Sequence, residues 1–307
     1  MKKLLIAILS IIVIPYLVVS SLATEEKIAD LRFYYVDNLK VRVKRVSKDK
    51  IEEVPLEEYV MGVLAGEMPI EFDIEALKSQ AVAARSYVLK EIETNQEKEY
   101  DVVDTVLNQV YLDQNELKEK FSNNYIENIN KLKEAVNSTR GQYLSYDNKI
   151  AQTLFFSTST GKTENSEEIF STALPYLVSV DSKWDEEVSP VFNDSYTFSL
   201  NEFLNILGLK NNNKVTTKVL ETTSTGRIKR IKINEREFSG SEVYSALNLR
   251  STFFSIEQNN NTINVYTKGF GHGVGMSQYG ALAMAKRGYK YDEILKYYYQ
   301  GTEIKKI

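Results

Sequence analysis

The chain has no cysteine and a single histidine, His272, among its 307 residues. The first absence excludes a disulfide framework, a cysteine nucleophile and any thiolate metal site. The second means that a serine hydrolase would have to use His272 as its base, and that one histidine is far too little for a tetrahedral zinc centre. Cation runs are missing too: 38 Lys and Arg against 42 Asp and Glu leave a net charge of −4. With no basic stretch to neutralise phosphates, nucleic acid is not an expected partner. Internal repeats and long low-complexity linkers are also lacking, so the length fits one large domain or two smaller ones. There is one long hydrophobic run, Leu4 to Val19, preceded by Lys2 and Lys3. With its flanks it reaches about twenty residues, enough to cross a bilayer, and the leading positive charge orients the downstream chain outward. Residues 1–23 are therefore expected to be a transmembrane anchor with the N-terminus cytoplasmic. The alternative is a cleaved signal, with Ser21 and Ala23 as the peptidase site and a secreted product.

Glycine, scarce elsewhere, is concentrated in Gly269-Phe270-Gly271-His272-Gly273-Val274-Gly275-Met276-Ser277-Gln278-Tyr279-Gly280. The spacing is neither that of a dinucleotide fingerprint nor that of a P-loop, and Ser277 does not sit in a nucleophile elbow. By itself the segment reads as a strand-to-helix turn with one hydrogen-bonded histidine. Its polar residues His272, Ser277 and Gln278 are nonetheless candidates for a site wall.

Leu56, Tyr59, Val60, Val63 and Leu64 recur at helical spacing behind Pro55, and Gly66 reads as the stop. Glu67 then falls just beyond the helix among poorly solvating neighbours, where a surface glutamate is the usual explanation. A helix C-terminus disfavours an anion, and desolvation raises a carboxyl pKa, which is the condition a general acid needs near neutrality. Asp73 suits the N-cap of a second helix, Ile74 to Ile92, with Leu77, Ala81, Ala84 and Val88 as its apolar face. Arg85, at the edge of that face, is either an ordinary solvated arginine or a donor holding a substrate oxygen or orienting Glu67.

Val54–Val88, Phe155–Asn165, Pro175–Asp181 and Gly269–Gly280 occur in one order that resembles the SpoIID/LytB family. The resemblance implies a membrane-anchored lytic transglycosylase acting on peptidoglycan during sporulation engulfment. In that role Glu67 is the catalytic acid/base, and Arg85, Ser157, Tyr176, His272, Ser277 and Gln278 bind substrate. It implies a cell-wall amidase and a membrane component of the engulfment machinery as partners, or, in the amidase-enhancer branch, a glycan-binding scaffold that activates an amidase. Some members bind zinc through cysteine and histidine; this chain lacks those residues, so no metal or other cofactor is expected. Asp104, Glu164 and Asp181 stand as potential second carboxylates.

The expected architecture is α+β: one catalytic domain, residues 30–307, with a central antiparallel or mixed sheet, flanking helices and an inserted subdomain at 192–254. Strand alternation marks Lys40–Arg45, and a hairpin is predicted from Gln142–Tyr146 and Ile150–Phe156 around Asp147-Asn148. The polar stretch Tyr100–Lys133 is expected to be partly helical and to form a rim of the cleft.

Overall fold

The computed structural model describes residues 39–210 and 213–307. The expected anchor or signal segment lies outside the described residues. Among those described, no helix is long and apolar enough to cross a membrane.

Strand β1 (Lys40–Arg45) turns Val41, Val43 and Arg45 inward at the strand period. It pairs antiparallel with β2 (Lys50–Pro55) and, after two helices, parallel with β3 (Val102–Val103). Helix α1 (Leu56–Glu67) follows β2 directly. Helix α2 (Ile74–Thr94) starts at Asp73, whose carboxylate accepts the Glu75 N–H at 2.8 Å. Next come α3 (Gln114–Phe121) and α4 (Tyr125–Ser138), the former closed by a capping box of Asp113 and Glu116.

Strand β4 (Gln142–Tyr146) turns through Asp147 and Asn148, both at positive φ (50° and 60°), into β5 (Lys149–Ile150). The predicted hairpin is thus real but short. Its second arm leaves the pairing, and β6 (Phe155–Phe156) finds a partner more than a hundred residues away. Two helical turns, α5 (Ser166–Phe170) and α6 (Asp185–Val188), lead to β7 (Asn193–Ser199), α7 (Leu200–Ile206), β8 (Thr217–Thr222), β9 (Ile228–Ile233), β10 (Arg236–Ser239) and α8 (Gly240–Ala246). Strands β11 (Phe254–Asn259) and β12 (Thr262–Lys268) precede β13 (Met276–Ser277), α9 (Gln278–Lys286), α10 (Tyr291–Tyr298) and β14 (Glu303–Lys306).

The class is α+β, but the expected central sheet is not there. The strands form small sheets, β2-β1-β3, β14-β4-β5, β13-β6, β11-β12-β7 and β10-β9-β8. The centre is helical instead: α2 is enclosed by α1, α4, α9, α10 and β4. Ala76, Ala81, Ala83 and Ala84 are fully buried and allow this close approach. Enlarging one of them would overpack the contact, at about 1–3 kcal/mol. The apolar face read from the sequence is only part of what α2 buries, since Ser79, Gln80, Arg85 and Ser86 are buried as well.

A second hydrophobic core, containing Phe203, Ile231, Ile233, Val243, Phe254, Ile263 and Val265, is built by α7, α8 and strands β7 and β9 to β12. It extends beyond the expected insert boundary because β12 lies between β11 and β7, drawing Ile263 and Val265 into the same core.

Candidate active site

Helix α1 does not stop at Gly66; it runs through Glu67. The glycine serves close approach instead, since a Cβ there would lie 2.2 Å from the Val110 carbonyl oxygen. The passing segment can therefore donate the Val110 N–H to Glu67 Oε1 at 2.6 Å. On the other side Gln278 Nε2 donates to the Glu67 carbonyl at 3.0 Å, tying the end of α1 to the start of α9. Burial raises the Glu67 pKa above its ordinary 4.5, and the Val110 N–H and the charge of Lys120 only partly oppose it.

The segment that carries Val110 is fixed by a buried cation. Arg45, 1% exposed, donates through Nε to Asp104 at 2.8 Å and through Nη2 to Glu116 at 2.5 Å. Its Nη1 reaches Glu52 and Asp113, each at 3.1 Å, and its guanidinium lies 5.0 Å from the centre of the Tyr111 ring. Burial alone would raise the Asp113 carboxyl, yet Lys48, the Glu116 N–H and Arg45 together bring it down to about 2. Asn108 secures the middle of the segment, accepting from Val103 N–H at 2.9 Å and donating to the Tyr87 hydroxyl at 2.8 Å.

The glycine-rich segment lies along residues 155–164, with Met276 and Ser277 parallel to Phe155 and Phe156 and further bridges from Phe270 to Thr158 and Val274 to Glu164. Gly269, Gly271, Gly273 and Gly275 all have positive φ, between 74° and 100°. At Gly275 a Cβ would stand 2.0 Å from the Leu154 carbonyl oxygen, so no other residue fits. His272 accepts the Val274 N–H through Nδ1 at 3.1 Å and packs against Phe156 and Phe170. Burial, then the charge of Arg227, lower its pKa to about 4 against a hydrogen bond with the Phe155 backbone. At neutral pH it is an uncharged ring.

These parts enclose a cavity of about 650 Å³. Of the expected residues, Glu67, Ser157, His272 and Gln278 line it. Arg85, Tyr176 and Ser277 do not, and each is explained by burial. Arg85 has no exposed surface; its guanidinium pairs with Glu57 at 2.9 and 2.5 Å and donates to the Gln142 carbonyl at 3.0 Å, joining α1, α2 and β4. The Tyr176 hydroxyl accepts the Gln152 N–H at 3.0 Å within the core. Ser277 caps α9, accepting the Gly280 N–H at 3.2 Å and donating to the buried Asp185 carboxylate.

The other carboxylates are also elsewhere. Asp104 is held by Arg45, Glu164 is buried against Arg227 at 3.1 Å, and Asp181 is exposed. Glu67 is the one carboxylate among the residues lining this cavity. The lining includes five polar side chains that sequence reasoning did not single out: Tyr87, Asn108, Gln109, Thr153 and Arg250. Asn108 and Gln109 lie in the stretch expected to form a rim, but nothing local marks them. A second cavity of about 550 Å³ shares Glu67 and Pro69 with the first, and Glu71 stands in it, solvent-exposed.

A zinc centre of the kind implied for some relatives does not fit these residues. Among the described residues no group of three or more His, Asp or Glu side chains could hold a metal ion. The donors that thiolate ligation requires do not occur anywhere in the chain.

The SpoIID family, described as stage II sporulation protein, matches residues 44–146, from β1 to the end of β4. Stage II sporulation protein D of Bacillus amyloliquefaciens is 43% identical over 269 residues, covering 86% of this chain and 78% of that protein. The protein of the same name from Bacillus subtilis (strain 168) shows the same identity and coverage. An amidase enhancer from Bacillus subtilis is 29% identical over 297 residues, covering 79% of this chain but 40% of its own length. The chain belongs to the SpoIID family.

Proposed function

We propose that the protein is a peptidoglycan lytic transglycosylase that cuts between N-acetylmuramic acid and N-acetylglucosamine. The observation that carries this reading is a single carboxyl, Glu67, with a raised pKa in the wall of a sugar-sized cavity. Hydrolases of glycosides ordinarily need two carboxyls, one for the leaving oxygen and one for water or covalent attack. An intramolecular reaction needs one. Protonated Glu67 gives its proton to the bridging oxygen, and the bond from that oxygen to C1 of the muramic acid breaks. The electron pair leaves with N-acetylglucosamine. The Glu67 carboxylate then takes the proton of the C6 hydroxyl as O6 bonds to C1, closing a 1,6-anhydro ring and consuming no water. The nucleophile belongs to the substrate, so its effective concentration is high without a protein group to activate water.

The Val110 N–H suits both halves of the cycle, because it leaves Glu67 protonatable yet supports the carboxylate once the proton has gone. Arg250, partly exposed in the cavity wall and paired through Nε with Asp194 at 3.1 Å, would share its charge with the lactyl carboxylate of a muramic residue. We place this activity outside the cytoplasm in cell-wall remodelling during sporulation engulfment, beside a cell-wall amidase. The N-terminal hydrophobic run and the names of the relatives support that setting.

The likeness to an amidase enhancer favours a second reading, in which the cavity only binds glycan and the protein activates an amidase. Mass spectrometry of products from peptide-free glycan strands separates the two readings. Transglycosylation gives ends lighter by one water than hydrolysis does, and a binding scaffold gives no new ends.

A further inference from the structure

Three of the last carbonyls of α1 are satisfied by separate donors. Leu64 accepts the Met68 N–H at 3.2 Å, and Glu67 accepts Gln278 Nε2 at 3.0 Å. Ala65 accepts Lys120 Nζ at 2.6 Å, so a lysine ammonium closes the last turn of the helix that carries the acid. Lys120 itself stands in the last turn of α3. The negative ends of two helices therefore lie beside Glu67, and both disfavour its anion. Lys120 serves both ends at once. It lines the second cavity together with Glu67, and no described carboxylate forms an ion pair with it. The other titratable groups around Glu67 offer no such cation. From α1 and α2, Tyr59 and Tyr87 are phenols that burial keeps neutral, and Tyr279 from α9 is another. His272 is uncharged at neutral pH, and Arg250 is shared with Asp194. Glu71, in the second cavity, carries the same sign as Glu67. In the segment 104–113, Asp104 and Asp113 are bound to Arg45.

We propose that Lys120 is a positioning residue for the proton cycle, its ammonium steadying the Glu67 carboxylate that remains once the bridging oxygen has been protonated. Lys120 exchanges no proton itself. Burial alone makes Glu67 a reluctant acid, and the charge of Lys120, with the Val110 N–H, draws it part of the way back. A carboxyl that must both give and take one proton works best when neither of its forms is strongly favoured. The catalytic role rests on the transglycosylase reading of the Glu67 site; the coupling of the two charges does not.

Three variants separate the charge from the hydrogen bond. Lys120→Met removes both, Lys120→Gln removes the charge but keeps an amide donor for Ala65, and Lys120→Arg keeps the charge. The side chain is exposed, so folding is retained, and the melting temperature verifies it. Two readouts are compared: the pH dependence of kcat/KM on peptide-free glycan strands, and a carbon-NMR titration of the Glu67 carboxyl, assigned by its loss in Glu67→Gln protein and needing no substrate. Without the ammonium the carboxylate is less favoured, so the acid form persists to higher pH. In Lys120→Met and Lys120→Gln the alkaline limb should move upward, the ratio of variant to wild-type kcat/KM rising at least about threefold from plateau to limb. The NMR midpoint should move the same way, and Lys120→Arg should leave both in place. Added salt should shrink the difference, because the ammonium is exposed. A limb and midpoint unmoved in Lys120→Met overturn the proposal, and a midpoint that moves without the limb overturns the catalytic role. A shift in Lys120→Met that Lys120→Gln does not share assigns the effect to the Ala65 hydrogen bond and also overturns it. A moved midpoint in a protein whose unsubstituted form cleaves no glycan overturns the transglycosylase reading and leaves Lys120 acting on Glu67.

Discussion

Glu67 and Arg85 show how burial divides two charged residues that look equally functional in the sequence. Glu67 keeps one surface in the cavity and gains a single backbone donor, so its neutral form is favoured. Its folded pKa lies above the unfolded value, so its contribution to stability is greatest below about pH 4.5 and is lost as pH rises through the folded pKa. Glu67→Gln retains an acceptor for the Val110 N–H and does not titrate. Denaturation at several pH values should therefore show the variant matching wild type in acid and becoming the more stable of the two as pH rises. A variant losing stability as pH rises would contradict this. Arg85 has no such freedom, since both it and Glu57 are wholly enclosed. Arg85→Ala leaves Glu57 buried without its partner, at a cost of about 3–5 kcal/mol. Pairing Arg85→Met with Glu57→Leu should recover much of that loss. A well-folded but inactive Arg85→Ala protein would instead return Arg85 to the substrate site.

Elements fix the cavity through one segment, residues 104–113, which carries Asn108, Gln109 and Val110 past the end of α1. Its anchor is Arg45, turned inward by the same strand alternation that buries Val41 and Val43. Arg45→Met would remove the buried cation shared by Glu52, Asp104, Asp113 and Glu116, leaving only the more exposed Lys48 and Lys50 to offset them. The expected cost is about 3 kcal/mol at neutral pH, shrinking as acid protonates Glu52 and Asp113, whose carboxyls Arg45 helps to hold below their ordinary values. Because Val110 would no longer be held against Glu67, kcat should fall between about tenfold and a hundredfold. A pH-independent deficit, or unchanged kcat, would argue against this coupling.

Much of the elementary structure was legible from local pattern: α1 and α2 from apolar spacing, the Asp73 cap, and the strand-to-helix turn at Ser277. Long-range closure was not. Phe155 and Phe156 read as a hairpin arm because their neighbours in sequence are compatible with one, while their partners Met276 and Ser277 leave no local trace. Gly66 read as a helix stop because the backbone of Val110, which demands it, comes from a distant segment. Arg85 sits at the edge of an apolar stripe only while α2 is treated as a surface helix; four neighbouring helices make it central.

At the scale of the molecule, Arg227, immediately before β9, donates to the Gly271 carbonyl at 2.8 Å and lies within reach of Glu164, so the strands that carry the second core also hold the glycine-rich wall in place. With no cysteine and one histidine in the sequence, cleavage should persist in the presence of a strong chelator, whereas loss restored by stoichiometric zinc would show that a metal is required. The central claim is that one carboxyl, Glu67, both gives and takes the proton. Turnover of purified, peptide-free glycan strands by Glu67→Gln protein tests it most directly. The substitution preserves volume and the Val110 hydrogen bond but cannot cycle a proton, so cleavage should fall by at least about a hundredfold while glycan binding survives. Turnover near that of the wild type would contradict the account.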